Sequence, residues 1–163
     1  EKYVKEYNFL LNNDKSNVNW YILRYADVLL MYAEALNEWH HGPNNAALAA
    51  LNMVRRRGYG LPYNEANTTV DLKSTSYEGF QEYIRNERAY ELAFEGNRRQ
   101  DLIRWGMYYE TIVNTYIKLI GWYPEANYVA YQYTQKNKHE LLPIPARDMS
   151  LMENFKQNQG WGD

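Results

Sequence analysis

The 163 residues suit one domain, and a chain of 19.5 kDa can bury a core without staples. A net charge of −2 excludes a nucleic-acid binder working through bulk charge, and the lack of cysteine excludes disulfides and thiolate metal sites. The apolar run from Val28 to Ala33 falls far short of the ~20 residues a membrane helix needs.

No signal peptide or lipidation signal is visible, and an opening Glu1 in place of Met is what a piece of a longer polypeptide would show. Residues 1–19 read as an irregular, polar segment. The cluster from Asn12 to Asn17 is a turn with alternating oxygen side chains, but it lacks the Gly and closing Glu of a calcium loop, so no metal site is expected there. From Trp20 to about Glu38, Ile22, Ala26, Leu29, Ala33 and Leu36 recur at helical steps, and His41-Gly42-Pro43 ends the run. A second helix is expected over 44–57, with Ala47, Leu48, Leu51 and Val54 on one face. Arg55, Arg56 and Arg57 fill its last turn, facing the negative end of the helix dipole. The small residues of this helix pair resemble a tetratricopeptide hairpin, which either packs on the helices after residue 77, or belongs to a larger helical scaffold, or both.

Residues 58–74 read as a long loop. Thr75 and Glu78 fit a capping box for a third helix running to about Glu95, closed by Gly96-Asn97. A fourth helix is expected from Arg99 to Ile120, striped by Leu102, Trp105, Tyr109, Ile112, Tyr116 and Ile120. After Gly121 the periodicity ends. Pro143 and Pro145 forbid helix around Ile144, so 141–145 should run extended. Residues 146–155 could form a short helix, and the chain closes in a turn at 157–161. The expected architecture is all-α: four main helices in two antiparallel pairs, under a long irregular C-terminal segment.

The third helix carries the most telling chemistry. Winding it at 100° per residue puts Glu87 and Glu91 on the same stripe as Phe80, Tyr83, Ile84 and Phe94. A lone buried charge costs several kcal/mol, so each carboxylate needs a partner, a proton or a site. One reading is a glycosidase pair. The favoured reading is a structural ion-pair network of Arg24, Arg55, Glu87, Arg88, Glu91, Glu95, Arg98, Asp101 and Arg104, because neighbouring arginines keep a carboxyl ionised and useless as a general acid. Arg24, Arg55, Arg88 and Arg98 are the expected partners of Glu87 and Glu91. No G-x-S-x-G, Walker loop, H-E-x-x-H or G-x-G-x-x-G occurs, and His40, His41 and His139 suggest no joint site. No catalytic residue, metal or cofactor is expected.

Four segments carry a resemblance. Residues 23–35 run from Leu23-Arg24-Tyr25-Ala26-Asp27 to Tyr32-Ala33-Glu34-Ala35, and residues 52–57 read Asn52-Met53-Val54-Arg55-Arg56-Arg57. Residues 84–106 include Ile84-Arg85-Asn86-Glu87-Arg88, Glu91-Leu92-Ala93-Phe94-Glu95-Gly96-Asn97-Arg98 and Asp101-Leu102-Ile103-Arg104-Trp105-Gly106, and the tail has Leu142-Pro143-Ile144-Pro145. In order and spacing these resemble the C-terminal part of the SusD/RagB family over residues 20–163. The resemblance implies a longer, lipid-anchored protein on the outer face of a bacterial outer membrane. It also implies capture of oligosaccharides without catalysis, for a SusC-like TonB-dependent transporter. It makes 59–76 variable ground and places most glycan contacts before this region.

For a sugar, flat rings that stack on C–H faces and amides that bond hydroxyls are the useful groups. Trp122, Tyr123, Asn127, Tyr128 and Tyr131 supply that mix, with Gln132 and Tyr133 beside them. The competing readings are a helical protein-interaction scaffold with no ligand site here and, last, a glycosidase using Glu87 and Glu91.

Overall fold

The computed structural model describes residues 21–151 and 154–162. The expected irregular segment 1–19, its turn cluster at 12–17 and Trp20 lie outside the described residues. Among the described residues the regular elements are all helices, and the chain divides into two compact units between Gly96 and Asn97.

In the first unit, α1 (Tyr25–His40), α2 (Asn45–Gly58) and α3 (Tyr77–Glu91) share one core. Leu30 and Ala33 of α1 meet Ala47, Ala50, Leu51 and Val54 of α2 and Phe80 and Ile84 of α3, all buried. Small residues on both helices let α1 and α2 lie close, which makes them a tetratricopeptide-like hairpin. The cross-links give the directions. Arg88 reaches Asp27, and Asn37 reaches the Tyr77 carbonyl and Gln81, so α3 runs antiparallel to α1. Arg24 and Arg57 converge on Glu91, which puts the start of α1 beside the ends of α2 and α3.

Local chemistry sets the boundaries. His41, at φ 51°, closes α1 as its N–H bonds the Asn37 carbonyl. The side chain of Asn44 accepts from the Ala47 N–H at 2.8 Å and starts α2. Gly60, at φ 72°, ends α2, and the Leu61 N–H returns to the Arg56 carbonyl at 2.9 Å, a Schellman closure. The N-cap of α3 is Ser76, which accepts from the Gly79 N–H at 3.2 Å; the expected cap, Thr75, stands one residue outside.

The third helix stops at Glu91, short of the expected Glu95. The chain turns after Leu92, Phe94 takes φ 66°, and Phe94 is 89% exposed instead of continuing the apolar stripe. The turn delivers Glu95 to the guanidinium of Arg24, and this ionic contact replaces the last turn of helix.

The loop at 59–76 is tied down from α2. Asn52 bonds both the N–H and the carbonyl of Leu72, Arg55 donates to the Val70 carbonyl, and Arg56 holds Asp71 and the Tyr63 carbonyl.

In the second unit the expected single fourth helix is two: α4 (Arg98–Arg104) and α5 (Tyr108–Trp122). Gly106, at φ 68°, breaks it, with the Met107 N–H bonded to the Leu102 carbonyl at 2.8 Å. A further turn of helix, α6 (Val129–Tyr133), lies in the stretch expected to be irregular, and α7 (Ala146–Leu151) is the short helix before the end. The four main helices in two pairs are therefore corrected to a three-helix unit followed by a broken, shorter set. Leu102 and Ile112 are buried in the second unit, and Tyr116 stacks on Tyr131 at 4.0 Å between centroids. The 141–145 stretch forms neither helix nor strand. The N–H and carbonyl of Ile144, between two prolines, are both taken by the Gln157 amide at 2.7 and 2.9 Å. Trp161 turns back and donates to the carbonyls of Lys138 and Leu141. Among the described residues no helix is long and apolar enough to cross a membrane.

Candidate functional site

Asp27, Glu34, Glu87 and Glu91 lie on the packed faces of their helices, where the period of each helix places a carboxylate beside Leu30 or Ile84. Arg24 is the hub. Its Nε and Nη2 grip both Glu95 oxygens at 2.9 and 2.7 Å, and Nη2 also donates to Glu91 Oε1 at 2.7 Å and to the Glu91 carbonyl at 3.0 Å. Glu95, then Glu91, hold this guanidinium above its ordinary pKa, against a burial that would lower it. Arg57 bonds the same Glu91 oxygen from α2.

Glu87 is bound differently. Arg55 Nη1 reaches its Oε2 at 3.1 Å, yet burial outweighs that bond and pushes the Glu87 carboxyl above its usual range. The expectation that neighbouring arginines push the carboxyl down is therefore reversed in direction at Glu87: desolvation is the larger effect. Arg88 lies on Asp27 at 2.7 Å, and Arg98 stands 5.6 Å over the Trp105 ring. Arg104 bonds Asp101 at 3.0 Å within α4.

Sequence reasoning missed Asp27, Arg56, Arg57 and Asp71 as members of ion pairs. The signal at Asp27 was present, since it precedes Leu30 on the packed face as Glu87 follows Ile84. Arg56 and Asp71 form a two-pronged pair, Nε to Oδ1 at 2.6 Å, that fastens the loop to α2. Arg56 first, then the Asn67 N–H, draw the Asp71 carboxyl below its usual range against its partial burial. A loop aspartate carries no periodicity, so nothing local announces it.

Two clefts flank this cluster and share Arg57. One, of about 490 Å³, is lined by the apolar Ala26, Leu29, Met53 and Val54 together with Tyr25, Tyr63, Arg24 and Arg57. The other, of about 710 Å³, is bordered by Arg55, Gly58, Tyr59, Glu87, Tyr90 and Glu91. Arg55 also stands 5.3 Å over the Tyr59 ring. The second cleft thus joins two exposed phenol rings to a neutral balance of carboxylates and guanidiniums. A smaller cleft, of about 270 Å³, lies in the second unit beside Tyr109, Glu110 and Lys136.

The five residues expected to touch sugar run from the end of α5 into α6. Trp122, at the end of α5, is 76% exposed, and Tyr123 and Asn127 are exposed beyond it. Tyr128 is half-buried ahead of α6, while one face of Tyr131 is covered by Tyr116. None of them borders the three clefts. No group of His, Asp and Glu able to hold a metal occurs among the described residues.

The family model described as the SusD family matches residues 1–161. SusD-like protein P25 of Formosa agariphila is 36% identical over 88% of this chain and 25% of its own length. SusD-like protein P2 of the same organism is 30% identical over 90% of this chain and 26% of its own. The crystal structure of a SusD homolog from Bacteroides thetaiotaomicron matches with a TM-score of 0.81 at 55% identity, over 93% of this chain and 29% of that one. The chain therefore spans about a quarter of the length of these curated relatives. Matched over nearly all of its residues, the chain belongs to the SusD family.

Proposed function

We propose that this chain is the C-terminal part of a non-catalytic oligosaccharide-capture protein. In this reading the whole protein is lipid-anchored at the outer face of a bacterial outer membrane. It hands glycans to a SusC-like TonB-dependent transporter. The observation that carries the reading is family membership across residues 1–161. Trp122, Tyr123 and Asn127 support it as an exposed platform of two rings and an amide, the groups that suit a neutral sugar.

Hydrolysis is disfavoured by the same ion pairs that hold the helices together. Glu91 receives two guanidiniums and Glu87 receives one, so each carboxyl is bonded to the scaffold. A general acid must instead present its proton to the leaving oxygen. The scaffold reading, with no ligand site in this chain, has one observation in its favour: the candidate sugar residues stand apart from the three clefts.

Purification of the full-length protein from outer membranes is the test. Recovery with a TonB-dependent transporter, glycan binding and no release of reducing sugar are expected. Reducing-sugar release lost in Glu87→Gln would overturn the non-catalytic reading, and recovery without any transporter would overturn the partnership.

A further inference from the structure

The cleft of about 710 Å³ is set where α2 and α3 end. Two phenol rings border it, Tyr59 at 61% exposure and Tyr90 at 72%. Both are carried by fixed backbone. Tyr90 belongs to the last turn of α3. Tyr59 follows α2 directly, and its N–H bonds the Arg55 and Arg56 carbonyls at 3.1 Å each. Arg55 lies over the Tyr59 ring at 5.3 Å, and is itself tied to the Val70 carbonyl at 2.7 Å and to Glu87 at 3.1 Å. A ring held in place before a ligand arrives loses little freedom on binding.

The charges that border the cleft cancel. Arg55 is paired with Glu87 and Arg57 with Glu91. Such a lining exerts little net pull on an ion and leaves an uncharged ligand unopposed. Arg57 nevertheless has donors to offer. Its side chain is 56% exposed and, among the described residues, bonds Glu91 through Nη2 alone. A guanidinium carries more donors than one carboxylate oxygen uses, so others remain for hydroxyl oxygens. Flat rings for C–H faces, beside donors for hydroxyls, are what a pyranose requires. The volume lies within the ~300–1,000 Å³ of small-molecule sites and accommodates a short run of sugar rings.

We propose that the Tyr59–Tyr90 cleft is a subsite for a neutral oligosaccharide, whose ring faces lie on the two phenols and whose hydroxyl oxygens accept from Arg57. An acidic sugar is the less suited ligand, because Glu87 and Glu91 border the same space. The subsite is separate from Trp122, which does not line this cleft. The proposal rests on the glycan-capture reading, and adds to it a place on this chain and a charge class of ligand.

The test is nitration of the full-length protein by tetranitromethane, with the modified tyrosines mapped by mass spectrometry. The probes are maltotetraose, cellotetraose, mannotetraose and xylotetraose as neutral chains, and tetragalacturonate as an acidic one. Calorimetry on the same samples reports whether the protein binds each chain at all. At a millimolar affinity, about 10 mM of a bound neutral chain should slow nitration of Tyr59 and Tyr90 together by about tenfold. Arg57→Ala should remove that protection while both rings stay reactive. Should Arg57→Ala not fold, Tyr90→Ala, at an exposed position, should remove the protection of Tyr59 instead. Protection of neither ring by any neutral chain, protection by tetragalacturonate alone, or rings that resist nitration without sugar would each overturn the proposal. Calorimetric binding with both rings nitrated at an unchanged rate would overturn the subsite alone and leave glycan capture standing, whereas no binding of any chain would count against both.

Discussion

Glu91 and Glu87 sit one helical turn apart, and their environments give them opposite behaviour. Glu91 answers two arginines on one oxygen. Removing its charge in Glu91→Gln should cost about 3 kcal/mol, the lower end for a broken buried pair, because Glu95 still faces Arg24. Chemical denaturation measures it, and full retention of stability would contradict the pairing. Glu87 should tolerate the same change. Its carboxyl is raised by burial, so the folded chain binds that proton more tightly than the unfolded chain does. That contribution is complete below the ordinary carboxylate value and is lost as pH rises through the raised one. Glu87→Gln should therefore cost less than Glu91→Gln, since burial already penalises the charge that the amide removes. Asp71 has the reverse sign. Held below the usual range by Arg56, it stabilises the fold fully above the ordinary carboxylate value, and this is lost as pH falls through the depressed one. Asp71→Asn should flatten the acid limb of a stability–pH curve, while Glu87→Gln flattens the opposite slope at higher pH.

At the scale of the element, end chemistry decides more than periodicity does. Ser76→Ala should lower stability by about 1 kcal/mol through loss of the cap on α3, whereas Thr75→Ala should change it by less than half of that. A thermal scan of both variants separates the two candidate caps. Gly106→Ala should cost roughly 1 kcal/mol from the left-handed backbone alone, because an added Cβ there meets open space. These are the places where the sequence was hard to read. α1 and α2 were legible from apolar steps and from Gly42-Pro43 and Asn44. The break at Gly106 was hidden because Leu102, Trp105, Tyr109 and Ile112 keep helical spacing across it. The early end of α3 had no local sign at all. It depends on Arg24, 71 residues away from Glu95. Glu87 and Glu91 could be placed on an apolar face by winding the helix, but which arginine meets which carboxylate is set by the packing of three helices. The pairs Arg57–Glu91 and Arg88–Asp27 are accordingly ones that spacing did not name.

For the molecule as a whole, ligand chemistry is spread thinly. The rings of Trp122 and Tyr123 are open to water without a wall behind them among the three clefts. Binding of an oligosaccharide by this chain alone should fall near the millimolar range, about −4 kcal/mol. Calorimetry with an oligosaccharide panel checks this. Micromolar binding abolished by Trp122→Ala would show a complete site on that platform. Micromolar binding indifferent to Trp122→Ala and lost in Tyr59→Ala would move the site to the cleft beside Tyr90.

The clamp that α2 places on its following loop has a practical use. Arg56 fixes the Tyr63 carbonyl on one side and Asp71 on the other, and Asn52 fixes Leu72. Asn64, Glu65 and Ala66 hang between these anchors and are exposed. Doubling a flexible loop costs only about 0.6 kcal/mol in closure entropy. An epitope tag spliced between Glu65 and Ala66 should thus be displayed on a rigid stem, giving a labelling handle that leaves the helices undisturbed.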